Sequence, residues 1–176
     1  ETDRVSSAVR DSLETSRLLS DCGECSAFVY DSANNRGDER FSVMINEEDH
    51  LRIQSIVDGY ALDCAFASVD AFDSALGSFV EYAFSSRLGF LTACPSNVGT
   101  GLRASVEVYL PALLLLNEFD AVERAVTSLK FNFRGLSGEG SPLNSGRGQN
   151  STGGTLGLSE TPAIASLKRV VDEVVR

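Results

Sequence analysis

Lysine is nearly missing from this sequence. Of fifteen basic residues only Lys130 and Lys168 are lysines, and the rest are arginines. Net positive charge is missing too: at −10 the chain is a poor candidate for nonspecific nucleic-acid binding, which requires a basic face. No run approaches the ~18 consecutive apolar residues of a membrane span, and the longest candidate, Leu110 to Leu116, is far too short. A polar segment opens at Glu1, so no signal peptide is expected, and the missing initiator Met suggests a trimmed N-terminus. Histidine occurs once, as His50, so Cys22-Gly-Glu-Cys25 lacks the four ligands of a structural zinc, and its spacing is read as incidental. With no extracellular signature, Cys22, Cys25, Cys64 and Cys94 are expected as reduced thiols in a cytoplasm.

What is there fits a globular chain. Apolar residues make up 43% and charged residues 23% of 176 residues, a single-domain length. Residues 3–20 carry Val5, Val9, Leu13 and Leu18 near one helical face. Ser26–Tyr30 and Phe41–Ile45 predict a hairpin around the Asn/Asp/Gly-rich stretch 31–39, and Arg52–Val57 a further strand. Leu62, Phe66, Val69, Leu76, Val80 and Ala83 predict one helix over 61–84, with Gly77 inside it. Leu88–Thr92 is a strand candidate, and Val106, Val108 and Leu110 alternate with polar residues in a half-buried strand over 104–110. Asn117 is expected to cap a helix bearing Phe119, Val122, Val126 and Leu129, followed by a strand at Lys130–Leu136. The glycine-rich stretch 135–157 predicts a flexible loop, set at 137–155. A last helix starts near Ser159–Pro162 and buries Ile164, Leu167, Val171 and Val174. Strands and helices without a βαβ rhythm predict an α+β fold, an antiparallel or mixed sheet flanked by helices.

Three segments join arginine to carboxylate, thiol or glycine: Asn46-Glu-Glu-Asp-His-Leu-Arg52, the stretch from Cys94 to Val106, and Arg134-Gly-Leu-Ser-Gly-Glu-Gly140. Gly99-Thr-Gly-Leu-Arg-Ala104 matches a dinucleotide fingerprint, but that motif needs a following helix and the alternation here says strand. Phosphoryl transfer fits better, because it is mostly positioning and charge neutralisation. Arg52, Arg103 and Arg134 can clamp a triphosphate by forked bonds that lysine cannot make. Glycines near Gly99 and Gly138 would bring backbone N–H groups to phosphate. Glu48 and Glu139 suit a guanidinium acceptor, holding it by paired hydrogen bonds while one takes up its proton. A lowered pKa at Cys94 would add a thiolate charge. Taken singly, the acidic turn 47–49 is a solvated loop and Cys94 a small buried residue.

In order and spacing the three segments together resemble the phosphagen kinases, the ATP:guanidino phosphotransferases. Gly-Thr-Gly-Leu-Arg103 and Gly-Glu-Gly-Ser141 are similar to the bacterial branch, the protein arginine kinases. The resemblance runs from about Phe41 to the C-terminus, with 1–40 matching weakly. It implies a glutamine-synthetase-like catalytic domain over 1–176, incomplete at its N-terminus. It implies ATP with Mg²⁺ as donor, arginine in a protein as acceptor, a role in protein quality control and no metal held by side chains. Arg52, Arg103, Ala104, Ser105, Val106, Glu107, Arg134, Gly135, Leu136, Ser137, Gly138 and Glu139 resemble the ATP-contacting positions, and Glu48, Glu139 and Cys94 the catalytic ones. The family's upstream Ser-Ser-Arg-x-Arg strand has only a weak echo in Val5–Arg10, the loop Pro142–Thr152 departs in wording, and the chain ends before the bacterial branch's C-terminal domain. Two alternatives stay open: a kinase for free arginine or another small guanidino compound, and a truncated or degenerate relative that binds nucleotide or a partner without catalysis. Oligomerisation is left open.

Overall fold

The computed structural model describes residues 26–31, 39–135 and 146–176. The expected helix at 3–20 and the Cys22/Cys25 pair lie outside them. The chain divides into two compact units: the N-terminal part through Ala83 with Thr92–Pro95, and Phe84–Leu91 with Ser96–Arg176. Length had suggested one domain.

In the first unit β1 (Ser26–Asp31), β2 (Glu39–Ile45) and β3 (Leu51–Val57) form an antiparallel sheet in chain order. Flanked on both sides, β2 buries consecutive residues: Ser42 is 0%, Val43 8% and Met44 1% exposed. Burial of side chains such as Val43 and Met44 contributes about 1.5–3 kcal/mol each. Buried Ser42 is not orphaned, because Gln54 Nε2 donates to its hydroxyl at 3.4 Å. Helix α1 (Leu62–Gly77) brings Phe72 against Phe41, ring centroids 5.2 Å apart. It ends at Gly77 and does not run on to 84. Ser78 turns its hydroxyl back on the Ala75 carbonyl at 2.7 Å, and Val80 is left 41% exposed. Beyond it the Tyr82 hydroxyl donates to Asp73 Oδ1 at 2.9 Å. Burial, that hydrogen bond and the Asp73 charge push the phenol up to about 12.

The second unit opens with a small hairpin, β4 (Phe84–Ser85) and β5 (Gly89–Phe90), where a strand over 88–92 was expected. Its main sheet holds β6 (Ser105–Tyr109), β7 (Phe131–Gly135) and β8 (Arg147–Thr152), all antiparallel, with β8 in the middle. Strand β8 corrects the flexible-loop expectation for 137–155. Residues 147–152 pair on both edges, and 136–145 lie outside the described residues. Gly148 is needed there: a Cβ on it would come within 2.5 Å of the Phe133 ring.

Helix α2 (Pro111–Leu116), absent from the sequence reading, starts on a proline pre-set for the first turn. Asn117 closes α2 in a left-handed conformation (φ 56°), so it does not cap the next helix. That helix is α3 (Phe119–Ser128), preceded by Glu118. Phe119 stacks on Phe133 at 6.0 Å, and Leu110, Val126 and Val170 complete the cluster. Helix α4 (Glu160–Val175) buries Ile164, Leu167, Val170 and Val171, with Val174 half-buried.

Candidate active site

Segment 46–52 is the β2–β3 turn. Asn46 adopts the left-handed region (φ 57°) and its N–H closes the turn on the His50 carbonyl at 3.0 Å. Asparagine tolerates that conformation because its short side chain hydrogen-bonds locally, here with Oδ1 3.3 Å from His50 Nδ1. The three carboxylates of this turn then do three different things. Glu47 Oε2 accepts from the Glu48 N–H at 2.9 Å and from Arg52 Nη1 at 3.3 Å. Glu48 stands exposed at the apex. Asp49 Oδ1 accepts the backbone N–H of Cys94 at 2.8 Å, while the Thr92 hydroxyl donates to the Cys94 carbonyl at 2.6 Å. Half-buried Cys94, which is in no disulfide, is thereby held beside the acidic turn through its own backbone. Asp49, read from sequence as part of a solvated turn, is the clamp.

The glycine segment is held differently. Gly99 (φ 119°) exchanges hydrogen bonds with Phe90 at 2.8 and 3.0 Å. The Thr100 N–H goes to the Thr155 carbonyl at 3.2 Å, and the Leu102 N–H to the Thr100 hydroxyl. Thr155 returns its own hydroxyl to the carbonyls of Val98 (2.8 Å) and Ser96 (3.1 Å). The amides of Gly99, Thr100 and Leu102 are thus engaged within the protein, and Gly99 itself serves close packing. A Cβ on Gly99 would meet the Thr155 backbone, and one on Gly89 the Gly99 carbonyl at 2.6 Å. The strand after Ala104 leaves the dinucleotide fingerprint without its helix.

On the main sheet, register assembles what sequence separates. Glu107, Gln149 and Arg134 face one another on a single rung of β6, β8 and β7. Arg134 Nε donates to Gln149 Oε1 at 3.3 Å, and Gln149 Nε2 donates to Ser105 Oγ at 3.2 Å. Ser105 and Glu107 are exposed on this face; exposed Arg103 precedes β6, and Gly135 ends β7. Buried Ala104 is locked by its N–H to the Thr152 hydroxyl at 3.2 Å. Val106 shares its rung with Asn150 and Phe133 on the opposite, core-facing side, so it offers this face only backbone. Leu136, Ser137, Gly138 and Glu139 lie outside the described residues, so the Glu48–Glu139 pair has no geometry here. Glu48, Arg52 and Cys94 belong to the first unit, and Arg103–Glu107, Arg134 and Gly135 to the second. Gln149 was missed because β8 was missed. Its sequence signal was only a polar run between a strand-like segment and the last helix.

A cavity of about 510 Å³ opens among α2, α3 and α4, lined by Leu113, Val122, Val126, Leu129, Val170 and Val174 among others. It holds none of the candidate residues, and its apolar wall suits no triphosphate. Among the described residues no three His, Cys, Asp or Glu side chains gather as a metal site, and no helix is long and apolar enough to cross a membrane.

Known proteins match this architecture. The protein-arginine kinase of Clostridium acetobutylicum is 45% identical over 138 residues, 78% of this chain and 41% of its own length. That of Bacillus cereus is 44% identical over 138 residues, 78% and 39% respectively. The chain thus spans about two fifths of the curated relatives it matches. Among solved structures, the duplicated taurocyamine kinase of Schistosoma mansoni with bound transition state analog components superposes with a TM-score of 0.74 at 28% identity, over 96% of this chain and 24% of that one. Lombricine kinase superposes at 0.66 with 25% identity, over 98% and 51%. The family model for the ATP:guanido phosphotransferase C-terminal catalytic domain matches residues 4–176, and the chain belongs to that family.

Proposed function

We propose that this chain is the catalytic part of a kinase that moves the γ-phosphoryl group of ATP to the guanidino group of arginine side chains in proteins. The observation that carries the reading is identity of 42–45% to protein-arginine kinases over 78–80% of the chain. The geometry supports the division of labour. Arg134, held on the sheet face with Ser105 and Glu107 beside it, and Arg103 before β6 bind the phosphates. Arg52 carries Glu47 as its resting counterion, an exposed pair of small energetic weight that a phosphate displaces at little cost. Mg²⁺ is carried on the phosphates, as it is where few side chains reach it. Glu48, its carboxylate without a hydrogen bond among the described residues, receives the acceptor guanidinium together with Glu139. A guanidinium nitrogen forms the N–P bond, the bond from γ-phosphorus to the bridging oxygen breaks, ADP leaves with the electron pair, and the guanidinium proton passes to a carboxylate. Cys94 presents its thiol at the same turn. We place the reaction in a cytoplasm, where that thiol stays reduced.

The test is incubation with ATP-Mg²⁺ and an arginine-rich protein, in parallel with free arginine. An acid-labile, base-stable phosphate on protein arginine is expected, with Glu48→Gln lowering the rate at least about a hundredfold. Phosphoserine, or phosphoarginine formed only from the free amino acid, refutes protein arginine as acceptor.

A further inference from the structure

Gln149 lies outside the three motif segments, yet it holds Arg134 on the sheet face. Arginine only donates, whereas an amide both donates and accepts, so the carbonyl end of Gln149 must face Arg134. Ser105 takes the NH₂ end at 3.2 Å and anchors the amide on its far side. Of the five guanidinium donors, Nε is engaged at 3.3 Å; those on Nη1 and Nη2 carry no hydrogen bond among the described residues. The partner is also neutral. A carboxylate in its place would grip the guanidinium bidentately and cancel the charge that attracts phosphate. An amide fixes the plane of the guanidinium and leaves that charge intact. The platform is rigid, since β8 pairs with a strand on each edge and Arg134 lies directly opposite Gln149.

We propose that Gln149 is a positioning residue that aims the Nη fork of Arg134 at the triphosphate of ATP, with Ser105 anchoring its amide. This rests on the ATP reading above. The experiment is calorimetric titration of the full chain with ATP-Mg²⁺, with melting temperatures recorded for every variant. Gln149→Met, close in shape but without polar atoms, is expected to weaken ATP binding about tenfold. Gln149→Glu keeps the acceptor for Arg134 and adds the charge, so it is expected to bind about a hundredfold more weakly than wild type. Its defect should shrink as pH falls and the carboxylate protonates. Ser105→Ala should cost only a few-fold, about the weight of one neutral hydrogen bond. A purely structural role would make Met and Glu equivalent and tie both losses to the melting temperature. That result overturns the proposal, as does wild-type affinity in both Gln149 variants. A wild-type chain that binds no ATP refutes the functional reading itself, and this inference falls with it.

Discussion

The two main sheets are both three-stranded and antiparallel, yet they present their candidate residues in opposite ways. In β1–β2–β3 the strands follow chain order, and Glu47, Glu48, Asp49 and Arg52 sit within seven consecutive residues at the β2–β3 turn. In β6–β8–β7 the last strand is central, and the chemistry sits on a face whose members come from three strands. A turn writes its site into contiguous sequence. A face writes it into register, where residues 15 and 44 positions apart become hydrogen-bond neighbours.

The backbone conformations of the two regions offer the sharpest test. Asn46 and Gly99 both have positive φ, but only Gly99 is also packed against a backbone that cannot give way. Gly99→Ala should therefore cost about 3 kcal/mol or more in chemical denaturation, while Asn46→Gly stays within about 0.5 kcal/mol. Equal costs would break the distinction. Buried polar groups give a smaller effect of opposite sign. Ser42 in the first sheet has its partner, but Asn150 in the second is 0% exposed, with neither amide atom hydrogen-bonded. Asn150→Leu, which replaces both orphaned atoms by methyl groups of like branching, should stabilise the chain by about 1–2 kcal/mol. A loss of that size instead would mean the amide has a partner. The smallest effect lies beyond α1. The phenol of Tyr82, raised from 10.0 to about 12, favours the folded state fully below the unfolded value, and that stabilisation is lost as pH rises through the folded one. Phenolate absorbance, with Tyr82→Phe as blank, should show the late titration. Asp73→Asn should draw it part of the way back, because burial, the largest cause, remains.

Legibility followed the same division. The β1–β2 hairpin, β3, β6, β7 and α4 were visible because their apolar residues recur at period two or 3.6. The three motifs brought the family into view, and the candidates Glu48, Arg52 and Cys94 with them. Strand β8 was not legible. Arg-Gly-Gln-Asn-Ser-Thr152 has no apolar side chain, and it becomes a strand only because β6 and β7 supply ladders on both edges and Gly148 admits the Phe133 ring. Helix α2 was hidden because Leu113–Leu116 gives no amphipathic period, and Leu115 is 86% exposed. Asn117 was assigned to the wrong helix because asparagine suits both a helix start and a left-handed stop. Asp49 and Thr155 work through long-range bonds to backbone, which leave no mark on local composition.

The central place of β8 also sets an order of events. Strands β6 and β7 never pair with each other, so neither has a ladder partner until residues 147–152 arrive between them. On a ribosome the first sheet can zip as its hairpins emerge, whereas the face bearing Arg134 must wait until β8 has been made. Its closure requires contacts across more than forty residues (Ser105 to Ser151), the kind of long-range pairing that slows folding. Of the two candidate regions, the acidic turn is therefore the early-formed one and the face bearing Arg134 the late one.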